Sequence, residues 1–511
     1  MSRYGRSREI ARIAHTGILS GILLLALTLH SPASTQDNSF TFSDTQQALG
    51  TNRSDAIFLG DLNGDGTRDA VVQDNDRAPS QIWLNDGNGT MRDGGRIGDT
   101  YEGLPLFGDI DGDGDLDAVA HATRLNDGQG NFSLLQMNGD EFYPLFAERR
   151  ARKLGDLDGD GDLDYASSSG VWLNNGQGTF TRTGQEAFAG LLDPLVLDDL
   201  DGDGDLDVVV LGFDELSIWL NSGVATFTNT FNLAMEGSTT DIAVGDLDRD
   251  DDRDILISRF NGTAQIYTNS GRGTFALSTT LVPEVTVRTV QQSALGDLNG
   301  DGALDIAMAT EFGPDLVWRN LGTGQFTLAW AGPANHTSWG VALGDLNGDD
   351  VLDMMFANMG SFFTPGGGPD HVYLNTTPQL EPLPRIPRIQ SSAARGRPGS
   401  RFVITASSLP PDSSATLTIN GQPVSSQGLA QDLRSDAAGN LRLLLETSSA
   451  DPGFYVVRLA VDGIGEPLVR SIRLKENAEL HSSDADGATQ ITIPAGIAQS
   501  VEELFLPLLS R

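Results

Sequence analysis

Residues 156–164 read Asp-Leu-Asp-Gly-Asp-Gly-Asp-Leu-Asp, and the same nonapeptide recurs at 199–207. Variants begin at Asp61 (DLNGDGTRD), Asp109 (DIDGDGDLD), Asp246 (DLDRDDDRD), Asp297 (DLNGDGALD) and Asp345 (DLNGDDVLD). Successive copies start 48, 47, 43, 47, 51 and 48 residues apart. A fixed period of that size marks a repeat fold with one supersecondary unit per copy, and its length suits one blade of a propeller.

Each acidic string lies between short apolar runs, such as Ile57-Phe58-Leu59 before the first and Val208-Val209-Val210 or Ile255-Leu256-Ile257 after later ones. Short β-branched runs bounded by Asp and Gly read as strand, loop, strand. A second element follows in each unit: IWLNDGNGTM from Ile82, VWLNNGQGTF from Val171, IWLNSGVATF from Ile218, IYTNSGRGTF from Ile266 and VWRNLGTGQF from Val317, with a weaker RLNDGQGNF from Arg124. An aromatic strand, an Asn/Gly turn and a Phe-bearing strand make a hairpin. Four strands per unit without helical periodicity make a propeller blade.

The seventh unit has Val372-Tyr373-Leu374-Asn375 but no Gly turn or final Phe strand after it. Ser39-Phe40-Thr41-Phe42 near the start resembles the missing piece. Lending that strand to the last blade would close the ring and remove an open sheet edge. The expectation is therefore an all-β chain, with a seven-bladed β-propeller over residues 38–376.

These strings and hairpins together resemble the FG-GAP/VCBS repeats of integrin α-subunit propellers and of many bacterial secreted proteins, over all seven units. The resemblance implies a calcium-bearing propeller used mostly for extracellular recognition. It does not imply one activity, since some members carry enzymes.

Calcium takes six to eight oxygens at about 2.3–2.6 Å. Carboxylates at loop positions 1, 3, 5 and 9, with Gly at position 6, can converge on one ion. The candidate ligands are Asp61, Asn63, Asp65 and Asp69; Asp109, Asp111, Asp113 and Asp117; Asp156, Asp158, Asp160 and Asp164; and Asp199, Asp201, Asp203 and Asp207. The remaining loops offer Asp246, Asp248, Asp250 and Asp254; Asp297, Asn299, Asp301 and Asp305; and Asp345, Asn347, Asp349 and Asp353. Up to seven Ca2+ ions, one per loop, are expected, with loops two, three and four binding best. Asp251 and Asp350 replace the position-6 Gly in loops five and seven, which puts their geometry in question. An EF-hand would need a carboxylate at position 12, where this chain has Val72, Ala120, Ser167, Val210, Ile257, Met308 and Phe356.

Composition agrees. The 511 residues carry 70 acidic against 33 basic side chains, a formal charge of −37. The seven nonapeptides hold 31 of the acids, and without them the charge would be −6. Such a balance excludes a nucleic-acid binder that works through a basic footprint. The absence of Cys excludes disulfides and thiolate metal sites.

Residues 1–33 carry Arg3, Arg6, Arg8 and Arg12, then an apolar run from Ile18 to Leu29 and small residues to Ala33. This reads as a secretory signal, cleaved after Ala33. An uncleaved anchor is the alternative, although the run is shorter than the roughly 20 residues a span needs. The mature chain is expected outside the cell, without a membrane span, as a monomer.

The acidic loops and Asn/Gly turns share one face of the ring, so ligand contacts are sought on the other. The candidates there are Trp330, His336 and Trp339, with Phe362 and Phe363 beside Gly366-Gly367-Gly368, and Phe142-Tyr143 near Arg149-Arg150. They read either as aromatics that stack on a glycan or anchor a protein, or as packing between blades. A Pro-rich linker at 377–388 leads to spaced strands over 389–475, which resemble an Ig-like β-sandwich. Residues 476–511 read as a polar tail. The expected role is a non-enzymatic extracellular recognition or adhesion scaffold for a protein or glycan. A propeller-based polysaccharide lyase or glycoside hydrolase and a structural surface protein without a ligand are the alternatives.

Overall fold

The computed structural model describes most of residues 39–493. The segments 139–150, 361–366, 424–432 and 475–488, and several shorter ones, lie outside the described residues. So do residues 1–38 and 494–511, and with them the secretory-signal reading.

Seven four-stranded antiparallel sheets follow one another along the chain. The first is typical: Ser54–Gly60, Asp69–Asp74, Ser80–Asn85 and Met91–Ile97 pair in chain order. The second strand of each blade is the apolar run after the acidic loop, and it is buried along its whole length in Asp207–Leu211 and Asp353–Asn358. The outermost strand alternates, as in Phe227–Ala234, because one face meets the next blade and the other meets water.

The seventh sheet closes the ring as expected. Phe42–Asp44 pairs with His371–Asn375, with Phe42 opposite Asn375, and so supplies the fourth strand of the last blade. Phe40 lies buried in the apolar cluster between blades six and seven, beside Val317 and Phe356.

Apolar burial is distributed between blades. Seven clusters fill the seven blade-to-blade contacts. One runs from Val209 and Ile218 of blade four to Ile255 and Tyr267 of blade five, and another from Ala70 of blade one to Met355 of blade seven. Blades approach closely where a first strand ends in Gly: a Cβ on Gly155 would stand 2.7 Å from Leu206 Cδ1 of the next blade. Blade four carries Asp198 at that place, and the facing loop residue is Arg253 instead of Leu. The two form an ion pair at 3.1 Å.

A polar circuit joins the blades on the acidic-loop face. The Asn that opens each hairpin turn donates its side-chain Nδ2 to the backbone carbonyl at position 2 of the preceding blade's acidic loop. The seven bonds are Asn126 to Leu62, Asn174 to Ile110, Asn221 to Leu157, Asn269 to Leu200, Asn320 to Leu247, Asn375 to Leu298 and, across the seam, Asn85 to Leu346, all at 2.7–2.9 Å.

On the other face, Asp315 of blade six accepts from the Thr310 N–H at 2.9 Å and from the Ser338 hydroxyl of blade seven at 2.8 Å. Asp370 repeats the arrangement, accepting from the Asn358 N–H at 2.8 Å and from the Ser54 hydroxyl of blade one at 3.1 Å.

After the ring, two sheets face one core. Arg388–Ser391, Arg401–Ser407, Leu441–Glu446 and Thr489–Thr492 form one sheet. The other is built mainly from Ala415–Ile419, Gly453–Val461 and Leu468–Leu474. Phe402, Leu445, Tyr455 and Ile472 are buried between them. The Tyr455 hydroxyl donates to the Asp451 carbonyl at 2.7 Å, a corner contact found in Greek-key sandwiches. Thr489–Thr492 pairs in parallel with Leu443–Glu446, so the sandwich runs past residue 475 into the segment that reads as tail.

The linker is not a free spacer. The Leu380 N–H donates to the Asn299 carbonyl at 2.7 Å and the Leu383 N–H to the Asp301 carbonyl at 2.8 Å, which lays the segment along the sixth acidic loop.

Asn221→Ala is expected to lower the unfolding free energy by about 1–3 kcal/mol, because it removes the Nδ2 bonds to the Leu157 and Leu206 carbonyls and the Oδ1 acceptor of the Ser222 N–H, although the Leu157 carbonyl keeps its bond from the Ala225 N–H. Thr230→Ala, on the exposed outer strand of the same blade, should leave urea denaturation unchanged. Burial raises the Asp315 carboxyl to about 7, against the lowering effect of the bonds from Thr310 and Ser338. The folded chain then keeps a proton that the unfolded chain releases near pH 4. The stability this contributes is full below about pH 4 and is lost as pH rises through about 7. Asp315→Asn should flatten the fall in melting temperature between those limits, and the difference from wild type measures it.

Candidate metal centre

The local sequence shapes each acidic loop before any ion is considered. Asp at position 1 accepts backbone N–H groups from across the turn: Asp109 takes Gly112 and Asp113 on one oxygen and Gly114 on the other, at 2.8–3.1 Å. Asp at position 5 accepts the N–H two residues on, as in Asp113 from Asp115 at 3.0 Å. Positions 4 and 6 are left-handed, which suits Gly112 (φ 78°) and Gly114 (φ 96°). Loop five keeps this path without Gly at either position and loop seven without it at position 6: Arg249, Asp251 and Asp350 have φ of 65°, 68° and 63°. Asp is among the few L-residues that visit this region. The substitution that called their geometry into question therefore leaves the turn intact.

Position 9 has a different task from the other carboxylates. Asp69, Asp117, Asp164, Asp207, Asp254, Asp305 and Asp353 are fully buried. One oxygen of each accepts the backbone N–H of the hairpin Asn at 2.6–2.9 Å. The other accepts the N–H at position 2 of its own loop at 2.8–3.1 Å. These residues lock the hairpin to the loop and belong to the inter-blade circuit. Burial, opposed by those bonds, raises them to about 6 at Asp69, Asp117, Asp164 and Asp353, about 7 at Asp254 and about 8 at Asp207 and Asp305.

Carboxylate oxygens converge to within 4.8 Å of one another in four loops: Asp109, Asp111 and Asp117; Asp156, Asp158 and Asp164; Asp199, Asp201 and Asp203; and Asp246, Asp248 and Asp250. Calcium–oxygen bonds of about 2.3–2.6 Å place opposite ligands about 5 Å apart, so each triplet is spaced for one ion. Position 3 is the telling group. Asp111, Asp158 and Asp248 each bury a carboxylate oxygen that has no hydrogen-bond partner. Burial, followed by the charge of neighbouring carboxylates, raises Asp111 and Asp158. Asp250 is pushed to about 8 by burial, then by Asp248 and Asp252. Unpaired buried carboxylate oxygens among like charges are costly unless a cation neutralises them. These donor sets fit a hard divalent cation.

The other three loops differ in kind. In loops one, six and seven, Asn63, Asn299 and Asn347 use their side-chain oxygen to accept the N–H of Asp65, Asp301 and Asp349 at 2.9–3.0 Å. Loop six also holds its own cation: buried Arg319 stands 3.4 Å from Asp301. Loop five meets arginines of the C-terminal region, with Arg388 pairing with Asp251 and Arg470 lying 3.4 Å from Asp252. A cavity of roughly 280 Å3 lies there, lined by Asp199, Asp246, Asp252, Arg253 and Arg470 among others.

Of the ligand candidates on the opposite face, Trp330 packs across the closing seam, its ring 5.2 Å from Phe42 and 5.5 Å from Tyr373. It reads as packing between blades. Trp339 is half-buried on the first strand of blade seven. His336, Phe362, Phe363, Phe142-Tyr143 and Arg149-Arg150 lie outside the described residues. The hairpin Asn is the residue that sequence reasoning missed, and its recurrence after Leu, Thr or Arg in every unit was the available signal.

The FG-GAP-like repeat family matches residues 61–120, 199–257, 251–308 and 297–356. No curated protein matches the chain. Among solved structures, the chain is similar to BBS1N in its complex with ARL6DN at 14% identity, covering 67% of this chain and 100% of that one, with a TM-score of 0.46. A fungal alcohol oxidase of the AA5 family, in complex with copper, aligns at 12% identity over 85% of this chain and 99% of its own, with a TM-score of 0.44. Saccharomyces cerevisiae Sqt1 aligns at 11% over 64% and 99%, with a TM-score of 0.38. The repeats that bear the acidic loops are thus FG-GAP-like, and the chain is an FG-GAP repeat protein.

Proposed function

We propose that this chain is an exported, calcium-stabilised propeller that serves as a non-enzymatic recognition scaffold for a protein or glycan outside the cell. The observation that carries the calcium reading is the set of partnerless buried oxygens at Asp111, Asp158 and Asp248, each gathered with two more carboxylates. In loop three the ion would be held by Asp156, Asp158 and Asp164, with Asp160 beside them. Bound Ca2+ would cancel the repulsion among these groups and tie the loop to its hairpin.

Export rests on the basic and apolar character of residues 1–33. Millimolar calcium outside cells suits sites of modest affinity, with dissociation constants on the order of 0.1–1 mM. No helix among the described residues is long and apolar enough to cross a membrane. The recognition role rests on the rigid closed ring, which leaves its variable connections free for contacts.

Adding calcium to chelator-treated protein should raise the melting temperature, with each site contributing about 1.4 kcal/mol at a tenfold excess over its dissociation constant. A melting temperature indifferent to chelator would overturn the calcium reading. Asp158→Ala removes a carboxylate that takes no part in the inter-blade circuit, so it should cost one bound ion by elemental analysis and leave the ring folded.

Binding to a glycan array and to extracellular protein baits, strengthened by calcium, is expected of a scaffold. Release of unsaturated or reducing sugar ends from a polysaccharide panel would instead point to an enzyme.

A further inference from the structure

Loop six departs from its siblings at three places that act together. The residue before the hairpin Asn is Leu84, Leu125, Leu173, Leu220 and Leu374 in five blades and Thr268 in blade five, but Arg319 in blade six. Arg319 lies on Leu316–Asn320, a strand buried along its whole length, and its guanidinium stands 3.4 Å from Asp301 at position 5 of the acidic loop. Position 3 of that loop is Asn299. Its side-chain oxygen is taken up by the Asp301 N–H, and its buried Nδ2 has no hydrogen-bond partner among the described residues. Position 7 is Ala303, where loops two to five all carry Asp. Asp301 and Asn299 are 0% and 1% exposed.

The interior of loop six therefore holds a guanidinium and an amide donor where loops two to five gather carboxylate oxygens. The remaining carboxylates are committed. Asp305 gives both oxygens to backbone N–H groups, and Asp297 accepts those of Asp301 and Gly302. A divalent cation entering this loop would meet a fixed positive charge in a buried, weakly screened place. The residues of loop six do not fit a metal ion.

The same loop has another occupant. The Leu380 and Leu383 N–H groups of the linker donate to the Asn299 and Asp301 carbonyls. Leu383 also covers the hairpin turn, where a Cβ on Gly322 would stand 2.5 Å from its Cδ1. In blades two to five the matching turn glycine meets the position-7 Asp of its own loop. Arg249 of loop five completes the clamp, donating to the Leu383 carbonyl at 3.3 Å.

We propose that Arg319 is the resident cation of loop six. It denies that loop a metal ion and keeps it shaped, with or without calcium, as the seat for residues 379–383. The loops open to Ca2+ then number at most six, and the C-terminal region stays attached where calcium is scarce. The inference rests on the calcium reading for what Arg319 replaces, while the seat itself does not.

Equilibrium dialysis of the full chain against Ca2+ counts the ions, and amide hydrogen exchange on the peptide carrying Leu380 and Leu383 reports the seat. Arg319→Leu restores the residue that five blades carry. Combined with Asn299→Asp, it should bind one Ca2+ more than wild type. Asn299→Asp alone should gain none, because the guanidinium remains. In chelator, Arg319→Leu should speed exchange at the two linker amides at least about tenfold, the factor that loss of a hydrogen bond to a charged group gives. Arg319→Lys should keep that exchange slow. Amides of Asp207–Leu211 in blade four should exchange as in wild type throughout, which separates a lost seat from a lost fold. An ion gained by Asn299→Asp alone, or a wild type that binds Ca2+ and gains none in the double variant, would overturn the proposal. So would linker exchange indifferent to Arg319→Leu, or a rise shared equally by blade four. A wild type that binds no Ca2+ at all would overturn the calcium reading, and linker exchange in chelator would still decide the seat.

Discussion

The ring depends on a bond between a side-chain amide and a backbone carbonyl, made once at each blade contact. Each hairpin Asn reaches back to the position-2 carbonyl of the blade before it. The N–H of that same loop residue is held by the position-9 Asp of its own blade, and the other oxygen of that Asp holds the N–H of its own hairpin Asn. The circuit passes through backbone and side chain alternately and returns to its start where Asn85 meets Leu346. Polar groups excluded from water are here satisfied by one another, and the Ile110, Leu157 and Leu200 carbonyls each accept a second backbone N–H, from Gly178, Ala225 and Gly273, so loss of one Asn weakens a blade contact without orphaning those carbonyls. The apolar clusters between blades supply most of the burial but would tolerate sliding. The amide–carbonyl bonds fix the angle between neighbours.

Within each acidic loop this constraint divides the carboxylates by task. Position 9 is committed to the circuit and position 1 closes the turn with backbone N–H groups, whatever occupies the loop. Position 3, and in loops four and five position 5, complete the oxygen clusters. The loop shape is thus set by local hydrogen bonds, and a cation would add stability to a loop already formed. Where Asn stands at position 3, its amide oxygen turns inward to the backbone, and in loop six Arg319 supplies positive charge from the neighbouring strand.

Much of this was legible in the chain itself, because repetition multiplies weak signals. Seven nonapeptides, six hairpin turns and one misplaced Phe strand were enough for the blade count and the closing strand. The role of position 9 was not legible. An Asp at the end of an Asp-rich string looks like a ligand alone, and only the tertiary approach of the hairpin shows that both its oxygens also accept backbone amides, while Asp117 and Asp164 stay within the oxygen clusters of loops two and three. Trp330 was ambiguous for a related reason: an aromatic on an outer strand faces solvent or a neighbour depending on the seam, and here Phe42 from the start of the chain covers it. The doubt over Asp251 and Asp350 came from treating Gly as obligatory, whereas Asp also reaches the left-handed region. The prolines of the linker gave no sign that the segment would bond to loop six.

The acidic face is therefore not uniform around the ring. Loops two and three gather their carboxylates without an arginine at the cluster, while loops five and six are bordered by Arg388, Arg470 and Arg319. The Asp198–Arg253 pair between blades four and five follows the same logic, replacing a Gly–Leu contact with opposite charges beside the same cavity. Charge carried by fixed guanidinium groups needs no ion from solution, and it comes from the side of the ring where the linker and sandwich lie against it. The repeats that must hold the C-terminal region thus have part of their charge balanced permanently by the chain. Those away from it, at loops two and three, have no such guanidinium beside their clusters among the described residues, and this divides a seven-fold repeat into a docked arc and an arc whose carboxylates face one another.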